Sequence, residues 1–163
     1  YKLAYFKKYQ NIWHHGDFAK ITNSGGFVIF GRSDTTLNPG GVRLGTSEIY
    51  NVVEKFKEIK ESIVIGQSWN NDIRIVLFLV LNKSYTLTNK IKDKIKKEIK
   101  ANASPRHVPS KIIQILEIPK TKNGKLVELA VKQCVEGDSI KNLEALANPN
   151  SLKQFKNIKE LNE

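Results

Sequence analysis

GRSDTTLNPGGVRLGTSE, Gly31 to Glu48, is the stretch on which the reading of this chain turns. It begins where the apolar run Phe27-Val28-Ile29-Phe30 stops and leads into a segment with helical spacing. Within it fall four glycines and one proline (Gly31, Pro39, Gly40, Gly41, Gly45), two arginines and one aspartate, and core-forming apolar residues are nearly absent. Glycine permits backbone conformations and close approaches that side chains forbid, and the guanidinium fork suits phosphate. Such a composition points to a ligand-holding loop or a hinge.

Upstream, Phe18–Ile21 and Phe27–Phe30 flank the turn-rich Thr22-Asn23-Ser24-Gly25-Gly26, which reads as a β-hairpin. Before it, Trp13-His14-His15-Gly16-Asp17 pairs two histidines with an aspartate, but neighbours on a strand point to opposite faces, so metal binding is the weaker reading. Downstream, Ile49, Val52, Val53, Phe56 and Ile59 repeat at helical spacing, with Thr46 or Ser47 as N-cap. Strands are expected over Ser62–Ile65 and Ile73–Leu81, joined by a polar turn Gly66–Asp72, with the second and more apolar one central in its sheet. A helix over 87–101 carries Leu87, Ile91, Ile95 and Ile99 under a lysine-rich face, best read as solvated. A loop with Pro105-Arg106-His107 leads to a third strand, Lys111–Leu116. The basic loop Ile118–Lys125 follows, then a helix through Leu126, Leu129, Ala130 and Cys134 that ends near Gly137. The remaining tail is polar, with a short helix after Pro149 carrying Leu152, Phe155 and Ile158. This order predicts an α+β fold, a small three-stranded sheet covered by helices.

The 163 residues suffice for one ordinary domain, or a domain and a fragment of another, and 40% apolar residues suffice for a core. A net charge of +11 suggests anionic partners, although scattered surface lysines account for it equally well. The single cysteine, Cys134, excludes an internal disulfide framework and a multi-cysteine zinc site, and its place on an apolar helix face marks it as a core residue. The absence of a membrane-length apolar run or a leader-like segment fits a cytoplasmic protein. Opening at Tyr1 without any Met, the chain reads as a piece of something longer.

Asn123-Gly124-Lys125 fails the common phosphate-loop pattern: Pro119 occupies the place of its first glycine and Leu126 that of its Ser/Thr. Read alone, it is a lysine on a solvated turn. The ordered set is more specific. Trp13-His14-His15-Gly16-Asp17, Gly31-Arg32-Ser33-Asp34, Gly40 to Ile49 and Pro119 to Lys125 together resemble the C-terminal end of the adenylate-forming acyl-CoA synthetases over roughly residues 13–135. Asn38, where many members have lysine, looks like the short-chain branch; Ser104 to Lys111, Val127 to Val131 and the tail from Asn150 look most like the part of it that takes acetoacetate.

What the resemblance implies is a ligase that uses ATP, with Mg2+, to form an acyl-adenylate and pyrophosphate, after which CoA displaces AMP. Lys125 would be the catalytic lysine of the first step, neutralising charge between carboxylate and α-phosphate. Asp17 would accept from the ribose hydroxyls, Arg32 would lie near the nucleotide and Arg43 would serve phosphate in the thioester-forming pose. Asp34 would be the hinge, and Gly40, Gly41, Val42 and Arg106 would face CoA. His15 stands where many members have threonine. On this reading residues 1–33 are the last strands of a large N-terminal adenylation domain, the chain's expected partner; 34–137 are the mobile domain and 138–163 an extension. The fragment by itself would be inactive, and neither a membrane span nor a nucleic-acid partner is expected.

Two other readings stand beside it. Acetate, propionate or another short acid is the alternative substrate, since the acyl pocket lies outside this sequence. A basic nucleic-acid-binding module would need exposed aromatics among its cations, whereas Phe27, Phe30, Phe56 and Phe78 sit in apolar patterns and the 90–100 helix has none.

Overall fold

A computed structural model describes residues 1–140 and 143–163; positions 141 and 142 of the expected 138–163 extension lie outside it. A short helix α1 (Lys2–Tyr5) precedes the hairpin of β1 (Asp17–Ile21) and β2 (Phe27–Arg32), antiparallel with a bulge between Phe18 and Ala19. Thr22 and Gly26 close its turn, and Gly25 takes φ 82°, as the sequence predicts. The hairpin's apolar side chains are not buried, however: Phe27 is 70% exposed, and Ile21, Val28 and Ile29 also face outward. Phe27 therefore sits in no core, while Phe30 is half-buried against Phe18.

The stretch after β2 is held by the two leucines in it. Leu37 and Leu44, both buried, pair across an isolated antiparallel bridge, so 38–43 is a loop thrown out from a closed base. The core thus takes part in this stretch, contrary to its glycine-rich appearance. Helix α2 (Thr46–Val53) has Gly45 as its N-cap instead of Thr46 or Ser47, which are its first two residues. A Cβ on Gly45 would come within 2.5 Å of the Phe30 carbonyl oxygen, so only glycine lets α2 start against β2. The Ser47 hydroxyl donates to that same carbonyl instead of capping. The helix stops at Val53, and Phe56 and Ile59 reach the core from the following turn and from the first residue of β3.

Strands β3 (Ile59–Trp69) and β4 (Asp72–Leu81) form a long antiparallel pair, and β5 (Lys111–Gln114) adds parallel to β4, which is central as expected. The expected turn over Gly66–Asp72 shrinks to Asn70-Asn71, with φ 49° and 60°; two successive left-handed residues match the twist of the strands they join. The third strand ends before Leu116, which is exposed.

Both faces of the sheet are covered, which explains the unbroken apolar run of β4. Val64, Ile75, Leu77 and Leu79 pack against α2 and the isoleucines of α3 (Asn89–Asn102), whose N-cap Thr88 accepts from the Ile91 N–H. Ile63, Ile65, Val76 and Phe78 pack against α4 (Glu128–Glu136), ended by Gly137 at φ 78°, and against the tail. The tail is therefore more than a polar extension. Leu146, Leu152, Phe155 and Leu161 are buried, and the Phe155 ring meets that of Phe78 edge-on at 4.9 Å. Among the described residues no helix is long and apolar enough to cross a membrane.

Candidate active-site loops

The candidate residues gather in three places. In the first, the Arg32 guanidinium lies between two carboxylates, 3.7 Å from Asp17 and 3.4 Å from Asp34, and donates to the His15 carbonyl at 2.9 Å. It covers Gly16, where a Cβ would lie 2.9 Å from Arg32 Nη2, and Ser33 N–H donates to the Gly16 carbonyl. The His15 ring nitrogen Nδ1 contacts Asp17, so of the two adjacent histidines only this one joins the cluster. All three charged groups remain partly open to solvent, as a site that engages a ligand must. Arg43 lies nearby on the hairpin side, its guanidinium 5.6 Å from the Phe18 ring centre.

The second place is the Pro39–Gly41 turn. Gly40 and Gly41 take φ 57° and 76°, which disfavours any side chain there. The Gly40 N–H donates to both carboxylate oxygens of Asp72, at 2.9 and 3.0 Å, so the β3–β4 turn holds the glycine loop. The hydrogen bond from Ile73 N–H, with that from Gly40 N–H added to it, keeps the Asp72 carboxyl below its ordinary range. The nearest atom to a Cβ on Gly40 is Arg106 Nη1, which brings the predicted Gly40 and Arg106 together. Val42 is half-buried against the core.

The third is the lysine loop. Thr121 N–H donates to the Lys125 carbonyl, Lys125 N–H donates to the Thr121 hydroxyl at 3.1 Å, and Gly124 at φ 75° makes the turn between them. Lys125 thus stands at the end of a closed hairpin, exposed. The tail holds this hairpin from its other side: Lys122 N–H donates to Ala145 O, Ala147 N–H to Lys120 O, and the Asn148 side chain binds Lys120 N–H and the Ile118 carbonyl. Lys120 also pairs with Glu61 at 3.0 Å.

Glu61 lies near the start of β3 and Asp72 at the turn end of the same ribbon. Eight residues separate Glu61 from Trp69, Asp72's partner, about 26 Å at the rise of a strand. The lysine loop and the glycine loop therefore occupy opposite ends of one rigid sheet. Between them, just after Lys125, Glu128 is half-buried and accepts from the Tyr50 hydroxyl at 2.8 Å, and that hydroxyl accepts from Val64 N–H. Burial pushes the Glu128 carboxyl up, against the hydroxyls of Tyr50, Thr46 and Thr35, and burial with the Glu128 charge pushes the Tyr50 phenol well up.

Asp72, Asn148, Glu128 and the His107–Glu48 pair escape sequence reasoning because each acts across a long separation. Glu48, His107 and Glu128 each stand in a motif read from the sequence, but nothing local shows what they contact. Among the described residues no three His, Cys, Asp or Glu side chains are placed together to hold a metal ion.

A family model described as the AMP-binding enzyme C-terminal domain matches residues 48–125. The chain is 55% identical over 99% of its length to an acetoacetyl-coenzyme A synthetase of Rhizobium meliloti (strain 1021), of which it covers 25%. To the acetoacetyl-CoA synthetase of Rattus norvegicus it is 46% identical, again over 99% of this chain and 24% of the relative. The solved acetoacetyl-CoA synthetase from Streptomyces lividans superimposes on all of this chain with a TM-score of 0.89 and 37% identity, over 25% of its own length. The chain spans about a quarter of the length of the curated relatives it matches.

Proposed function

The chain belongs, through residues 48–125, to the family of AMP-binding enzyme C-terminal domains, and from that premise we propose that it is the C-terminal part of an AMP-forming ligase making acetoacetyl-CoA from acetoacetate, ATP and CoA. The observation that carries the reading is the separation of the two functional loops. A domain with Lys125 at one end of its sheet and Gly40–Gly41 at the other can present either end to a fixed active site by turning as a body.

In the first half-reaction the acetoacetate carboxylate attacks the α-phosphorus of ATP, and pyrophosphate leaves. Lys125 lowers the repulsion between these anions with a charge held on a short, pinned hairpin. The Asp17 carboxylate accepts from the ribose hydroxyls, and Arg32, set between Asp17 and Asp34, ties that acceptor to the hinge. In the second half-reaction the CoA thiolate attacks the acyl carbon and AMP leaves, so Lys125 has to withdraw. Rotation about Asp34 then brings Gly40, Gly41 and Val42 to the pantetheine passage, with Arg106 beside them, while Arg43 serves phosphate. Mg2+ would travel on the ATP phosphates, for which the large N-terminal domain, residues 1–33 being its last strands, supplies the surroundings. Residues 34–137 and the tail move together on this reading, because the tail holds the lysine loop.

Acetoacetate is favoured over acetate by the identity to acetoacetyl-CoA synthetases across the whole chain, tail included. ATP–pyrophosphate exchange by the intact ligase, with acetoacetate, acetate and propionate in parallel, tests it. Faster exchange with acetoacetate is expected. Preference for another short acid discards the substrate, and no exchange with any of them discards the ligase.

A further inference from the structure

His107 is buried, 4% exposed, and both of its ring nitrogens are engaged. Nε2 lies 2.9 Å from a carboxylate oxygen of Glu48, and Nδ1 lies 2.8 Å from the hydroxyl of Ser104. Ser104 Oγ already accepts from Arg106 N–H at 3.2 Å, so its own proton is free for Nδ1, and Nε2–H donates to Glu48. That tautomer satisfies every group in the chain of bonds.

What this imidazole joins is specific. Glu48 lies in the first turn of α2 and its same Oε2 also accepts from the N–H of Gly45, at the end of the glycine-rich stretch. Ser104 opens the short turn Pro105–His107, which carries Arg106. Arg106 in turn reaches toward Gly40, whose N–H Asp72 holds from the far side. One buried ring therefore fixes the distance between the two segments, 38–45 and 104–107, that form a single surface. No other polar side chain among the described hydrogen bonds links them.

We propose that His107 is a positioning residue for the thioester-forming half-reaction, setting Arg106 against the Gly40–Gly41 loop without touching substrate. The inference rests on the ligase reading above. A link of this kind matters to whichever half-reaction uses that surface and not to the one that uses Lys125, at the other end of the sheet. Loss of the link should thus act on CoA, the ligand that reaches this end, and spare adenylation.

The test uses the intact ligase. In His107→Ala, the KM for CoA in thioester formation from supplied acyl-adenylate is expected to rise about tenfold while pyrophosphate exchange stays within about twofold. His107→Gln, whose amide reaches the Nε2 position and keeps a donor to Glu48, should recover most of that loss. Ser104→Ala removes one hydroxyl from the turn and keeps the question open to measurement if His107→Ala does not fold; it should raise the KM for CoA about threefold. An unchanged KM for CoA in these variants, or a parallel fall of both half-reactions, overturns the proposal. Absence of exchange in the unsubstituted enzyme overturns the ligase reading itself, a result distinct from either.

Discussion

Asn148→Ala should separate the lysine loop from the support that the tail gives it. The Asn148 Oδ1 accepts from Lys120 N–H at 2.9 Å and its Nδ2 donates to the Ile118 carbonyl at 3.0 Å, both half-buried. At roughly 1 kcal/mol net for each hydrogen bond, the substitution weakens the closed loop by about 2 kcal/mol. If the loop bears all of it, the loss of adenylation rate has a ceiling of about thirtyfold, and a fall of about tenfold is expected. The same loss should lower the melting temperature of the 163-residue chain by about 4–8 °C. Pyrophosphate exchange by the intact ligase gives the first number, and thermal unfolding followed by circular dichroism gives the second. Thioester formation from supplied acyl-adenylate should be unaffected, since the glycine loop lies at the other end of the sheet. Exchange that is unchanged despite a lower melting temperature would refute the claim that the tail positions Lys125; so would an equal loss in both half-reactions.

Glu128 predicts a pH dependence of stability. Burial raises its carboxyl in the folded chain, so between the ordinary glutamate range and the raised value the folded state holds the proton more tightly than the unfolded state. Stability from this group is present below that window and falls as pH rises through it. Glu128→Gln removes the slope while keeping an acceptor for Tyr50, so its melting temperature relative to the parent should climb as pH goes from about 4 to about 7; a flat or falling difference would contradict this. Cys134 is buried, its Sγ donates to the Leu152 carbonyl, and burial pushes its thiol up. Alkylation by iodoacetamide at neutral pH should proceed only as fast as the chain opens, and rapid labelling of the folded chain would show that the tail does not cover it.

Much of the architecture was written in local pattern. The isoleucines of α3 fall four apart, Gly137 marks the end of α4, and the apolar run of β4 announces a strand covered on both faces. Reading failed where local and tertiary preferences diverge. Phe56 and Ile59 continue the helical spacing of Val52 and Val53 but are buried from a turn and a strand, with no glycine or proline to mark the stop. Gly66, Gln67 and Ser68 look like a turn, yet they pair with Ile75, Arg74 and Ile73 in a strand, because the left-handed turn is supplied by Asn70-Asn71. In the tail the short helix after Pro149 was legible and forms as the 3₁₀ helix Pro149–Phe155, whereas Leu146 is placed by an isolated bridge to Thr121 that no local period announces. For the candidate site, the ordered motifs named the loops but not what holds them. Asp72 to Gly40, Asn148 to Lys120 and His107 to Glu48 are separated by 32, 28 and 59 residues, and no spacing rule joins them.

The most direct test of the account is Lys125→Ala in the intact ligase, measured on each half-reaction separately. Pyrophosphate exchange should be abolished, while thioester formation from supplied acyl-adenylate and CoA should proceed at nearly the parent rate, because the charge of Lys125 is needed only while carboxylate and phosphate approach. Equal loss of both half-reactions would contradict a domain that offers one end of its sheet to each.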